Sequence, residues 1–220
     1  CGFIESAKEE AIENILDMAR LKEQGKIKKI IVTGCLAQRY KEEILNSMPE
    51  VDAIVGVGSF DEITDVIDEV MTKDKMRPVH FGDINKPEPE SGRTISTGPA
   101  WAYVKIAEGC DNRCAYCVIP SLRGKFRSRK MEDIISECKN LCDNGVKELI
   151  IVAQDITRYG IDLYGKRVLP ELLNELCKID GAKWIRLHYL YPDEITDELI
   201  DTIANEDKIL NYLDIPIQHI

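Results

Sequence analysis

Residues 101–117 read WAYVKIAEGCDNRCAYC. The spacing predicts a β-strand over 101–107, and the polar loop that follows carries Cys110, Cys114 and Cys117. The end of a strand in a βα unit is where a barrel delivers its chemistry. Three thiolates spaced x3 and then x2 can wrap one face of a cubane iron–sulfur cluster, each on a different iron. The fourth iron then has no protein ligand, and an open coordination position is the mark of a catalytic metal site. A zinc site wants a fourth Cys or His close by, and none lies within the loop. A ferredoxin uses four cysteines in another order of spacings, whereas Cys117 is followed by Val118-Ile119-Pro120. Cysteines that only pack would not cluster beside Asp111, Asn112 and Arg113.

Downstream of the loop, the pattern predicts helices over 131–144, 170–179 and 196–205, with Pro170 suited to a first turn. Strands are expected over 148–153, 184–190 and 212–217. Four β segments separated by three helices make a (βα) partial barrel that is too short to close. The chain stops directly after a strand, so a C-terminal portion is expected to be absent.

Upstream, Ser6 and Glu9 read as a capping box, and Ala11, Ile12, Ile15, Leu16 and Ala19 recur at helical spacing. A strand over 28–33 ends at Gly34-Cys35, followed by a helix over 37–47, a strand over 51–55 and a helix over 61–70. The class is therefore α/β, with an N-terminal three-layer parallel-sheet domain over 1–72. A Pro-, Gly- and Ser-rich linker is expected over 73–99, and the partial barrel over 100–220.

Of the 220 residues, 44% are hydrophobic, enough to bury a proper core. The formal charge of −10 argues against a broad nucleic-acid surface and suits a basic protein partner better. No apolar run approaches a membrane span and no signal peptide is visible, so a cytoplasmic location with no membrane partner is expected. In that setting eight cysteines point to metal or chemistry rather than disulfides. The chain opens on Cys1 rather than Met, which predicts a fragment at this end too.

Cys110-x3-Cys114-x2-Cys117, with aromatic Tyr116 before the last cysteine, resembles the defining loop of the radical-SAM superfamily. The resemblance implies a [4Fe–4S] cluster whose open iron chelates S-adenosyl-L-methionine through its amino and carboxylate groups. One electron then splits the sulfonium and releases a 5′-deoxyadenosyl radical, with the protein positioning the cofactor. Tyr116 would lie beside the adenine or serve as a core aromatic. At the other end, Cys1-Gly2-Phe3 and Gly34-Cys35-Leu36 each put a cysteine at a turn, where glycine lets the backbone approach a bulky ligand. On these residues alone, ordinary small strand-end cysteines are the better explanation of the pattern.

The wider text resembles the methylthiotransferase family, and within it the RimO branch, which modifies an aspartate of small-subunit ribosomal protein S-twelve. The matching stretches are CGFIESAKEEAI, VTGCLAQRY, EGCDNRCAYCVIPSLRGKFRSR, VAQDITRYGIDLYG, LHYLYPDEITDELI and LDIPIQH. The tRNA-modifying branches are expected to have Gly-Gln-Asn where Ala153-Gln154-Asp155 stands. The resemblance implies a second [4Fe–4S] cluster, with Cys1 and Cys35 as two of its three ligands and the first ligand upstream. It implies two S-adenosylmethionine molecules, one methylating sulfur and one making the radical that attacks the aspartate β-carbon. The implied partners are that ribosomal protein and an electron donor such as flavodoxin or ferredoxin; nucleic acid is not expected as substrate. A tRNA methylthiotransferase and a non-catalytic iron–sulfur or zinc-binding protein are the rival readings.

Gln154 and Asp155 end the second barrel strand, where they would contact the methionine amino group or cap the following turn. Residues 155–167 are read as a long loop at the active face. Arg123, Lys125, Arg127, Arg129 and Lys130 make a basic run that either grips a carboxylate or lies on a solvated face. Arg186 is placed on the third strand of the barrel. Cys138, Cys142 and Cys177 read as buried helix residues, and His188 and His219 as packing or hydrogen-bonding residues.

Overall fold

The first helix, α1 (Glu5–Glu23), starts one residue ahead of Ser6, so the expected capping box does not form. Ile4 occupies the cap in extended conformation, and no side chain caps the helix. Glu5 takes the first turn instead, where a carboxylate favours the positive end of the helix, and pairs with Lys8. The computed structural model describes residues 2–72, 76–87, 90, 92–95, 98 and 100–217; Cys1 and His219 lie outside them. The chain forms two compact units, Cys1–Pro89 with Asn112–Gly124, and Glu90–Asp111 with Lys125–Ile220.

In the first unit, β1 (Ile31–Thr33) leads into α2 (Cys35–Tyr40) and α3 (Glu42–Ser47), then β2 (Ala53–Val55), a 3-10 turn (Val57–Glu62), α4 (Ile63–Thr72) and β3 (Val79–His80). The helix expected over 37–47 is two helices, broken at Lys41 with φ +42. The break lets Leu36 and Ala37 on one piece and Ile44 and Leu45 on the other enter the same core. The sheet is parallel in the order β1-β2-β3. One face packs against Ile15 and Ala19 of α1, and the other packs Ala53 and Val55 against Val66 and Val70 of α4. That is the expected three-layer arrangement.

The stretch expected as linker over 73–99 carries β3. Arg77 anchors it, donating from Nε to the Val51 carbonyl (2.7 Å), from Nη1 to Leu45 (2.8 Å) and from Nη2 to Met48 (2.7 Å). Gly56 N–H then donates to the His80 carbonyl at 2.7 Å. A two-residue strand held by one arginine leaves no apolar period to read. In the same unit, α5 (Ile119–Arg123) packs on α2.

The second unit contains β4 (Trp101–Lys105), β5 (Ala107–Glu108), β6 (Arg127–Ser128), α6 (Met131–Asp143), β7 (Glu148–Val152), α7 (Ile161–Tyr164), α8 (Leu169–Cys177), β8 (Trp184–Leu187), α9 (Asp197–Asn205) and β9 (Ile209–Leu213). Its main sheet is parallel in the order β4-β7-β8-β9, as the partial-barrel reading expects. Ala102, Val104, Leu149, Ile151, Ile185 and Leu187 face the helices and are fully buried. Cys138 and Cys142 of α6 join that core, and burial pushes the Cys138 thiol up. The antiparallel pair β5–β6 was not legible in the sequence; it pairs Ala107 with Ser128 and Glu108 with Arg127.

Ile151 lies at 0% exposure on a strand paired on both sides. Ile151→Ala is expected to cost about 2–5 kcal/mol in urea unfolding, against roughly 0.5 kcal/mol or less for exposed Ile200→Ala. His80 lies 2.9 Å from Glu62 and 3.3 Å from Glu69, and the Glu62 hydrogen bond raises its pKa against the opposing effect of burial. Stability from charged His80 is therefore full below the unfolded value of about 6.5 and is lost as pH rises through the raised folded value. His80→Gln should be more destabilising at about pH 5.5 than at about pH 9, measured by urea unfolding at both.

Candidate iron–sulfur and cofactor site

β4, β7, β8 and β9 all run the same way, so their C-terminal ends share one edge of the sheet. From that edge the chain leaves toward Cys110, Gln154, His188 and Asp214. Glu108, only 5% exposed, fixes the first departure. Its carboxylate accepts from Lys105 Nζ at 3.0 Å and from Gly109 N–H at 3.1 Å. Gly109 then turns with φ +80, a region glycine adopts without strain, and delivers buried Cys110. Phe126 N–H donates to the Asp111 carboxylate at 3.1 Å.

Residues Asn112–Gly124 belong to the first unit. There Cys117 N–H donates to the Cys114 carbonyl at 3.0 Å, making a tight turn that leaves both thiols half-buried. Tyr116 is exposed and stacks on Phe3, with centroids 6.5 Å apart and planes at 9°. Arg123 Nε donates to Cys35 Sγ at 3.1 Å. Cys35 opens α2, directly after Gly34 with φ +93. Gly2 lies so close that an added Cβ would stand 2.6 Å from the Cys35 carbonyl oxygen.

The residues of the second strand's end separate. Gln154 Oε1 is buried and has no hydrogen-bond partner among the described residues. Asp155, in contrast, caps its own turn: its carboxylate accepts from Thr157 N–H at 3.0 Å and from the Thr157 hydroxyl. The stretch read as a loop over 155–167 is folded down, with Tyr159 at 0% exposure and α7 inside it. Asp162 accepts from Ser128 N–H (2.9 Å) and Oγ (2.6 Å), knitting this stretch to β6.

A profile of the Radical SAM superfamily matches residues 104–220, more than half of the chain. The chain belongs to the radical SAM superfamily. Residues 1–56 match a second family, described as uncharacterized protein family UPF0004. The chain is 55% identical over 220 residues to a ribosomal protein uS12 methylthiotransferase RimO of Lachnoclostridium phytofermentans, covering 100% of this chain and 50% of the relative. It is 56% identical to the RimO of Acetivibrio thermocellus, with 100% and 49% covered. The chain thus spans about half the length of the curated relatives it matches. Among solved structures, the radical S-adenosylmethionine methyltransferase TsrM of Kitasatospora setae aligns with a TM-score of 0.64 at 10% identity. That alignment covers 90% of this chain and 43% of TsrM, and shows likeness of fold.

Membership in the superfamily implies S-adenosylmethionine and a [4Fe–4S] cluster. Among the described residues, no three His, Cys, Asp or Glu side chains stand together as a ready metal site. The donor chemistry fits the group nonetheless: Cys110, Cys114 and Cys117 are outside any disulfide, on short turns, and supply three soft ligands without a fourth. The buried, unpaired Gln154 Oε1 is an acceptor awaiting a donor, as a cofactor ammonium would be.

The basic run resolves residue by residue. Arg129 pairs with Glu90 and Glu137 and donates to the Lys105 carbonyl, so it is structural. Arg127 donates to the Lys125 carbonyl. Arg186 pairs with Glu148 at 2.6 Å and lies over the Tyr212 ring. His188, expected as a packing or hydrogen-bonding residue, sits among the rings of Tyr103, Tyr189 and Tyr212, with centroids 6.1–6.3 Å away. Tyr189 holds φ +63, a strained value for an aromatic residue, stabilised by its N–H on Asp214 Oδ2 and by Ile156 N–H on its carbonyl. The run LHYLYP was the available signal.

Asp155→Ala would strand the buried Thr157 N–H and should cost about 1–3 kcal/mol in urea unfolding, whereas Asp155→Asn keeps an acceptor and should recover most of it.

Proposed function

We propose that this chain works as a methylthiotransferase on an aspartate β-carbon of ribosomal protein uS12. The observation that carries the reading is 55% identity to a RimO over all 220 residues, a span that includes Cys35 and the Cys110–Cys117 loop. In this reading Cys110, Cys114 and Cys117 hold the radical-SAM cluster, and Cys1 and Cys35 are two ligands of a second [4Fe–4S] cluster. The close seat of Gly2 on Cys35 supports the pairing of those two segments. When bound, the clusters supply an electron, an open iron position and the sulfur to be transferred.

The chain's own groups bind and orient. Gln154 Oε1 accepts from the ammonium of S-adenosylmethionine, which answers its missing partner. Glu108 and Lys105 stiffen the turn that delivers Cys110. Tyr116, exposed beside Phe3, offers a ring face to the adenine. A flavodoxin- or ferredoxin-type protein would supply electrons, and the acidic chain suits a basic ribosomal substrate better than a nucleic acid. Among the described residues no helix is long and apolar enough to cross a membrane.

The test uses the full-length protein, reconstituted anaerobically and given S-adenosylmethionine, a reductant and either uS12 or tRNA. A mass gain of one methylthio group on the uS12 aspartate, with tRNA unchanged, is the expected result; modification of tRNA alone would sink the reading. Gln154→Leu should weaken S-adenosylmethionine binding about tenfold or more at unchanged iron content, since a hydrogen bond to a charged group is worth roughly 1.5–3 kcal/mol.

A further inference from the structure

Arg123 stands 88 positions from Cys35 in sequence, yet its Nε–H reaches the Cys35 sulfur at 3.1 Å. The contact is not isolated within the first unit. α5, which ends at Arg123, packs on α2, which begins at Cys35. Seven residues upstream of Arg123, Tyr116 stacks on Phe3, and Phe3 follows the Gly2 that rests on the Cys35 carbonyl. Arg39 Nη1 holds the Gly2 carbonyl at 2.5 Å. A cavity of about 600 Å³ opens beside this joint, lined among others by Ile15, Thr33, Gly34, Cys35 and Arg123. The segment bearing Cys114 and Cys117 and the segment bearing Cys35 are therefore fastened together, and within the fastening the charged side chain of Arg123 touches the Cys35 sulfur.

We propose that Arg123 is a positioning residue for the second cluster: it holds the Cys35 sulfur against the radical-SAM loop and raises that cluster's reduction potential. This rests on the two-cluster reading above. A guanidinium keeps its charge at every working pH, and its planar N–H fork fixes the direction of the bond to sulfur. Reduction adds negative charge to a cluster, part of which resides on its ligating sulfurs. A cationic donor on one of those sulfurs stabilises the reduced form more than the oxidised one, so the potential rises. A residue that only packed α5 on α2 would leave the potential alone.

The experiment isolates the second cluster in the full-length protein by replacing Cys110, Cys114 and Cys117 with Ala, then compares Arg123 with Arg123→Met and Arg123→Gln. Iron content and the midpoint potential, followed by electron paramagnetic resonance during a redox titration, are the readouts. The expected result is retained iron with a more negative potential in both variants, the shift larger for Arg123→Met, which loses donor and charge, than for Arg123→Gln, which keeps a donor. Should Arg123→Met lose its iron through misfolding, Arg123→Gln decides by the same criterion. Retained iron with an unchanged potential overturns the role of Arg123 and leaves the two-cluster reading standing. No iron in the triple-Ala background, with Arg123 intact, overturns both.

Discussion

Ile150 of β7 lies opposite Tyr103 of β4 on one side and Arg186 of β8 on the other, and the second unit is organised by that parallel register. Side chains alternate with a period of two, so this register puts Ala102, Val104, Leu149, Ile151, Ile185 and Leu187 under the helices. A slip of one residue would turn Lys105 and Arg186 into the apolar core. Because every strand points the same way, the turns that carry Cys110, Gln154 and Tyr189 leave from one edge. The strain in Tyr189, the orphaned oxygen of Gln154 and the buried carboxylate of Glu108 all occur there. Strain at one residue and an unsatisfied polar oxygen at another thus share that edge with a carboxylate that is buried and satisfied.

The first unit relies on other means. Its strands are two or three residues long, too short for ladder hydrogen bonds to hold alone. Polar anchors do the rest: Arg77 collects three carbonyls, and Asp52 accepts from Ile30 N–H and Lys22 Nζ. The same economy appears around Cys35, where a glycine without a side chain and an arginine with a long one converge on a single residue. The radical SAM match covers residues 104–220, and Cys35 lies in the stretch that matches the second family.

By itself the sequence determined the class of the fold and the order of strands and helices in the barrel half, and it singled out Cys110, Cys114 and Cys117 as candidate cluster ligands. Those features are local. A strand announces itself through a short apolar run, a helix through its 3.6-residue period, and a cluster ligand set through spacing within ten residues. Capping at Ser6 failed as a prediction because the helix had a better first turn one residue earlier, at Glu5. The third strand of the first sheet was invisible because two residues, Val79 and His80, carry no period.

Tertiary structure alone decided which polar residues at the strand ends are available and which are spent. Gln154 and Asp155 are neighbours in sequence and equivalent on paper, yet one is left without a partner and the other is consumed by Thr157. Arg123 and Arg129 belong to one basic run, but one meets a cysteine sulfur and the other a pair of carboxylates. No local pattern encodes such outcomes. Each depends on partners brought from distant positions, and the identity of a side chain's partner exists only once the chain has closed on itself.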